Sequence, residues 1–524
     1  MQATRFAPST PTSSTALVLF LMLSLSSCFT FQKVDVKPVN PRASPTVVHS
    51  PVRAHLADGS TIVFPRGFTL KGDTVTGVGS RYAPGSSSAA STTTIVLDSV
   101  VGMETFETGI LAGPTILAST VATTFAVAGS VALLKAIFGS CPTFYSDSSG
   151  APVLEAEGFS YSIAPLFEQR DVHRLRAAPS EQGVLSLEVR NEALETHYIN
   201  HLELLEVTRG PDEYVTPDNE DRPLALRGLH PPAKAIDRAG RDVTQFLARA
   251  DGVLFETDST TLANARAGDL NDYIDLEIPN LERADTVVLV LRMRNSLLNT
   301  VLLYDQILGA PGARSLDWLG HDIQRIATAV DMGKWYSERM GMHVAVRDGG
   351  TYRTVGRIGD SGPIAFHNVG FLVPVPRGKP SDKVHVRISF VADQWRIDQI
   401  QVAKSYRRPT FRTVAASEVV TRDPSQGQSA LRDLREADEH YVVTSPAQSF
   451  IIRFQVGKGD GNPRTFLLAS QGYYTEWVRG SWIKSASGQP FRTTDQSLVA
   501  ALNRWRSERS TLEREFFSTR IATR

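Results

Sequence analysis

Cysteine is almost missing from this chain: only Cys28 and Cys141 occur in 524 residues. No disulfide framework can therefore hold the fold, and buried apolar area must do so. Net charge is missing as well. Lysine and arginine total 55, as do aspartate and glutamate, so no long-range field gathers nucleic acid, and DNA or RNA binding is excluded as a general role. There is no glycine-rich loop of the kind that cradles phosphate, which removes a nucleotide site. What is present in quantity is core-forming material, with 42% hydrophobic residues including 24 phenylalanines. That excludes extended disorder, and the length suggests about three folded units.

The first 28 residues carry an address. A lone Arg5 precedes an apolar run from Ala16 to Leu23, and Leu25-Ser26-Ser27-Cys28 follows, the order of a signal segment that ends in small residues. The pattern resembles the bacterial lipobox. The resemblance implies cleavage after Ser27, lipid on the Cys28 thiol and removal of residues 1–27. Several acyl chains, each methylene worth about 0.8 kcal/mol when buried, anchor stably where one chain does not. Phe29 and Thr30 lack the aspartate associated with inner-membrane retention. Residues 28–51, with Pro38, Pro41, Pro45 and Pro51, read as an extended tether.

A second membrane candidate lies in residues 109–138. Gly109 to Leu134 is uncharged over 26 residues, about 39 Å as a helix against a hydrocarbon layer of ~30 Å. Ala118, Ala122, Ala126 and Ser130 form a small-residue stripe suited to helix association. Pro114 and six hydroxyl residues argue against a span. So does topology, because one crossing would return everything after Lys135 to the side opposite a lipidated Cys28. Two readings stay open: a transmembrane segment, or a small-residue helix or hairpin packed on the membrane or on the protein itself.

The remaining pattern is mainly β. Alternation on either side of Asp58-Gly59 and of Gly72-Asp73 predicts two hairpins within a small antiparallel module at 52–106. A β-sandwich-like domain is expected over 141–311. It includes strands at Val184–Val189 and at Glu192–Val207, the latter compatible with helix or strand and read as strand. Ser315 to Met340 reads as a linking helix over 315–341, with Leu316, Leu319, Ile323, Ile326 and Val330 on one stripe and Gly341 as its stop. A second sandwich-like domain follows at 342–404, with a hairpin about Asp348-Gly349-Gly350 and alternation at Val384, Val386, Ile388 and Phe390. Residues 405–524 hold further strands and a terminal helix with Leu498, Leu502, Trp505, Leu512 and Phe516 inward. Thr493 and Gln496 form its expected capping box.

Few residues suggest chemistry. Gly359-Asp360-Ser361-Gly362-Pro363 is one glycine short of a serine-protease nucleophile loop and has no matching histidine context; a polar turn accounts for it equally well. His197 and His201, four apart beside Glu195 and Glu203, are candidate metal ligands, but no third ligand can be identified and no metal is assigned. Asp218-Asn219-Glu220-Asp221 lacks the order of a calcium loop and reads as an acidic turn. Glu155 and Glu157 are paired acids with nothing to place them across a cleft. Tyr473, Tyr474, Trp477 and Trp482 form the densest aromatic group; exposed, they would stack sugar rings or anchor a partner, and buried they belong to a core. No cofactor is called for.

Cys141-Pro142-Thr143-Phe144-Tyr145-Ser146, Val189 through Asn200, Gly240-Arg241-Asp242 and Ser470-Gln471-Gly472-Tyr473-Tyr474 together resemble a group of large, uncharacterised, exported bacterial lipoproteins over about residues 141–479. The resemblance implies an exported, largely β body and no catalytic residue. The expectation is a cell-envelope protein, anchored through Cys28 with its body periplasmic or surface-exposed, that binds a protein or glycan partner or serves as scaffold without catalysis. The alternatives are a carbohydrate-binding or polysaccharide-processing protein using the aromatic group, and a hydrolase using Ser361.

Overall fold

The computed structural model describes residues 45–106 and 141–523, apart from 85, 87, 149, 267, 281–283, 377–381 and 485–493. Cys28 and the apolar stretch 109–134 lie outside the described residues. Among the described residues no helix is long and apolar enough to cross a membrane.

The chain is mainly β, as its alternation predicts. Residues Thr46–Thr105 form a seven-stranded antiparallel sheet, in which Val52–Leu56 pairs with Thr61–Phe64 around Asp58-Gly59 and Phe68–Lys71 pairs with Thr74–Tyr82 around Gly72-Asp73. The Thr-rich stretch Ala89–Val96 forms an exposed edge strand paired with Thr74–Tyr82. The sheet closes against the body. Trp477 stacks flat on His55 at 3.7 Å, and Met103 and Val478 exchange backbone hydrogen bonds. The Asp317 carboxylate accepts the His49 and Ser50 amides at 2.8 and 3.0 Å.

Two sandwiches make the body, and their strands interleave along the chain. The first packs Thr143–Ser148, Ala151–Glu157, Val184–Arg190, Glu418–Val420 and Ser449–Gln455 against Gln169–Arg174, Glu195–Thr208, Arg412–Ala415, Val442–Thr444 and Arg464–Glu476. Its core gathers Phe144, Leu187, Leu202, Ile452, Phe454 and Leu468. The second packs the sheet of Lys234–Asp237, Asn271–Pro279, Met342–Asp348, Thr351–Ile358 and Lys383–Val391 against that of Thr286–Asn295, His367–Pro374 and Trp395–Ala403. Strands from the expected 141–311 module are thus divided between both sandwiches, and each sandwich is completed by strands from beyond residue 341. Val384, Val386, Ile388 and Phe390 point inward as their spacing predicts, and they meet Leu289, Leu291, Ile397 and Ile400 across the core. A small sheet of Tyr214–Pro217, Pro223–Arg227 and Ser405–Arg407 lies on the second sandwich, where Leu224 and Leu226 pack on Val288 and Val290.

The helical stripe predicted over 315–341 does not run through. Leu316, Leu319 and Ile323 are buried, whereas Ile326 and Val330 are 65% and 51% exposed. The cause is a widened π-helical turn at Trp318–Asp322, followed by an extended Arg325 (ψ 128°), which resets the phase of the helix Ile326–Arg339. That helix stops where expected: Gly341 takes φ +84°, and a Cβ there would sit 2.7 Å from the Ile358 carbonyl. The C-terminal helix Asp495–Ser518 buries Leu498, Leu502, Trp505, Leu512 and Phe516 as predicted. Its cap is Thr494 rather than Thr493, with the Thr494 hydroxyl accepting the Ser497 amide.

Candidate functional site

A cavity of about 360 Å³ opens between the two sandwiches, floored by the helical segment that follows Asn295. Its wall from the first sandwich carries Glu157, Asp171 and Glu195, each at the point where a strand meets the interface. The second sandwich supplies Asp360 and His367, and the turn after Tyr214–Pro217 supplies Asp221. Six carboxylates, if Asp218 is counted, therefore converge on one small volume.

Glu157 ends its strand with the side chain 1% exposed. Its Oε2 accepts the Ile364 and Ala365 amides at 2.9 and 3.1 Å, while Oε1 has no hydrogen-bond partner. Burial outweighs those two amides and pushes its pKa up to about 7. The amides directly follow the Gly359-Asp360-Ser361-Gly362-Pro363 turn, which folds over the carboxyl so closely that a Cβ on Gly362 would lie 2.0 Å from Glu157 Cδ. Ser361 is buried. Its amide donates to Asn295 Oδ1 at 2.7 Å, and its hydroxyl reaches the Gly362 carbonyl at 3.5 Å. Among the described residues no histidine stands beside it, so the motif works as a close-packed turn. Asp360 accepts Asn295 Nδ2 and Gln394 Nε2 at 3.1 and 2.6 Å.

Asp221 sits in the left-handed region at φ +61°. Burial, reinforced by the charge of Asp171, raises its pKa to about 7. The acidic turn at 218–221 is thus solvated only at Asn219 and Glu220, while its two aspartates turn inward. Asp218 is 1% exposed, its carboxylate accepts the Glu220 and Arg222 amides, and it pairs with Arg408.

Asp171 and His173 share a face of Gln169–Arg174, and His367 begins the facing strand of the second sandwich. His173 Nε2 lies 3.1 Å from Asp171 Oδ2, the two imidazoles stand 4.4 Å apart between centroids, and His367 Nε2 is 3.2 Å from the Val172 carbonyl. One ligand atom from each of the three lies within 4.8 Å of the others. Burial works against a charged His173, but Asp171 prevails and holds its pKa above the ordinary value. His367, buried next to that charge, is pushed down to about 4.

Deeper, Glu195 and Glu476 face each other, both 1% exposed, and the Tyr304 hydroxyl bonds both. Burial raises both pKa values, and mutual repulsion raises that of Glu476 further, so the two carboxyls hold a proton between them. Arg479 lies 4.0 Å from Glu476, with its guanidinium against the Trp482 and Tyr304 rings. Cys141 also lines the cavity; burial and the charge of Glu195 push its thiol well up, which removes it as a nucleophile.

The residues singled out from sequence fall elsewhere. His197 and His201 do not converge: a bulge lies between Ile199 and His201, His197 pairs with Glu195 at 3.2 Å, and His201 pairs with Glu203 at 3.3 Å. Tyr473, Tyr474 and Trp477 are buried, and Trp482 is half-buried against Tyr304, so the four form no exposed stacking platform. Tyr474 alone among them reaches the cavity. Glu155 accepts Ser146 Oγ and the Arg176 amide, away from its neighbour's cavity. Asp171 and His173 carried a readable signal, an acid and a histidine two apart on a strand, but nothing local points to His367.

The chain matches no protein-family model and no curated protein. Among solved structures it is similar to allantoicase, at 10% identity over 51% of this chain and 91% of that one, with a TM-score of 0.18. At that score the likeness carries no argument, and the functional reading rests on the residues above.

Proposed function

We propose that the chain is a lipid-anchored cell-envelope protein that binds a small, donor-rich cationic ligand in the cavity between its sandwiches, without catalysis of its own. One observation carries the binding reading: Glu157 and Asp221 line a cavity within the size range that takes small molecules, roughly 300–1,000 Å³, and neither has a cation at ion-pair distance among the described residues. A buried carboxyl held near neutrality ionises when a cation arrives, so such a ligand supplies the missing partner and releases a proton. The arginines of the lining are already engaged: Arg170 pairs with Glu203, and Arg357 binds the Met340 carbonyl. Placement in the envelope rests on the Leu25-Ser26-Ser27-Cys28 pattern and on the resemblance to exported lipoproteins.

Titration calorimetry of the full chain at pH 6.5 tests the binding half. The probes are 1,4-diaminobutane and methylguanidine against the neutral 1,4-butanediol and methylurea. The cations bind with proton release, read as a heat that changes with buffer ionisation enthalpy, and Glu157→Gln diminishes it. Equal or absent binding of both probe classes refutes the reading. Labelling with a fatty-acid analogue, abolished by Cys28→Ser, tests the anchor.

A further inference from the structure

The geometry points to a divalent transition-metal site formed by Asp171, His173 and His367 at the seam of the two sandwiches. Two imidazoles and one carboxylate are a donor set suited to Zn²⁺ and its first-row neighbours, and three protein ligands leave coordination positions open. Here those positions face the cavity, because Asp171 and His367 both line it. The separations are those of groups ready to share an ion. His173 Nε2 and Asp171 Oδ2 are 3.1 Å apart, close to the distance between neighbouring ligands about a metal that each approaches at ~2.1 Å. All three ligand atoms fall within 4.8 Å of one another.

The surroundings fix the ligands as metal sites require. His367 Nε2–H donates to the Val172 carbonyl at 3.2 Å, which sets the tautomer and leaves the Nδ1 lone pair for a metal. Asp171 accepts the Phe159 amide, which orients its carboxylate. Between the imidazoles, stacked at 4.4 Å and tilted by 30°, no hydrogen bond explains the approach. An ion held by both rings does explain it. Glu157 Oε1, buried and without a partner, lines the same cavity as a polar group available to a water on the metal. Each half of the site comes from a different sandwich, so the ion also ties the two together.

The inference goes beyond the binding of an organic cation and does not depend on it. The full chain, extracted in detergent and stripped with chelator, is titrated with Zn²⁺ and, separately, with Co²⁺. The expected result is one ion per chain by elemental analysis, with Co²⁺ visible bands of nitrogen and oxygen ligation and no thiolate charge-transfer band, which excludes Cys141. Asp171→Asn and His367→Gln each weaken Zn²⁺ binding about 100-fold or more, while the exposed His440→Gln leaves it unchanged. Melting of each variant in the metal-free state separates lost ligation from lost folding. A wild-type chain that takes up no stoichiometric ion at micromolar Zn²⁺ overturns the inference whatever the variants do, as does binding that survives in both folded variants. Diaminobutane binding by the same samples is scored separately, so that either reading can fail alone.

Discussion

Glu157→Gln provides a direct test of the claim that a buried carboxyl faces the cavity uncompensated. Burial raises the Glu157 pKa to about 7 against an ordinary 4.5. Between those values the native state keeps a proton that the unfolded chain has lost, so stability falls as pH rises, by up to 1.4 kcal/mol per pH unit. Integrated from pH 5 to pH 8, the loss from this one group is about 2.5 kcal/mol. Glutamine is nearly isosteric, its carbonyl can accept the Ile364 and Ala365 amides that Oε2 accepts now, and it does not titrate. The variant is therefore expected near wild-type stability at pH 5 and about 2 kcal/mol more stable than wild type at pH 8. The assay is urea unfolding of both chains at pH 5, 6.5 and 8. Taking the difference between them cancels the contributions of Glu476 and Asp221, whereas Glu195, whose pKa the Glu157 charge helps to raise, titrates somewhat lower in the variant. A difference that stays constant across the three pH values would refute the assignment, because it would mean that Glu157 is ionised throughout and has a cation partner.

Glu104 behaves oppositely. Burial opposes its charge, but Arg53 at 2.9 Å, with hydrogen bonds from His55 and Thr196, holds its pKa down to about 2. His55 has its own pKa lowered by burial and acts as a neutral donor. The stability from Glu104 is fully present above pH 4.5 and is lost as pH falls toward 2, and Glu104→Gln, which strands a buried Arg53, costs about 3–5 kcal/mol, read as early proteolysis of residues 46–105. Trp477→Ala removes a fully buried ring that stacks on His55 and donates to Thr196. Thermal unfolding should show a loss of about 3–5 kcal/mol, whereas a folded variant that merely loses glycan binding would restore the surface-platform reading. Gly362→Ala places a methyl against the Glu157 carboxyl and is expected to lower stability by about 1–3 kcal/mol in the same measurement.

What the sequence discloses and what it hides divide along one physical line. Alternation is local, so the strand at Val384, Val386, Ile388 and Phe390 and the hairpins at Asp58-Gly59 and Gly72-Asp73 are legible. The strand choice for Glu195–Thr208 over a helix was decided by pairing with Arg464–Glu476, some 270 residues on, which no local pattern contains. The linking helix misled because periodicity assumes a continuous helix of 3.6 residues per turn, and a π-helical widening at Trp318–Asp322 followed by the extended Arg325 turned Ile326 and Val330 outward. Domain boundaries failed to show for the same reason as the site: neither sandwich is contiguous in the chain.

That interleaving bears on the site itself. His367 lies 194 residues from His173, yet both stand at the seam because Gln169–Arg174 is an edge strand of the first sandwich and His367–Pro374 an edge strand of the second. Unpaired edges attract partners; here Thr216 and Asn219 donate to the Asn368 and Gly370 carbonyls and cover the edge of His367–Pro374, and its first residue, His367, reaches the Val172 carbonyl of the other edge. The carboxyls gathered there oppose close packing of the sandwiches when ionised, by the same burial cost that raises Glu157 and Asp221. A cavity lined this way is stable near neutral pH only if its acids keep their protons or if a cation enters. Cation binding should therefore raise the melting temperature more at pH 8 than at pH 5. An equal rise at both would mean that the seam is held by packing alone and that the carboxyls serve some other end.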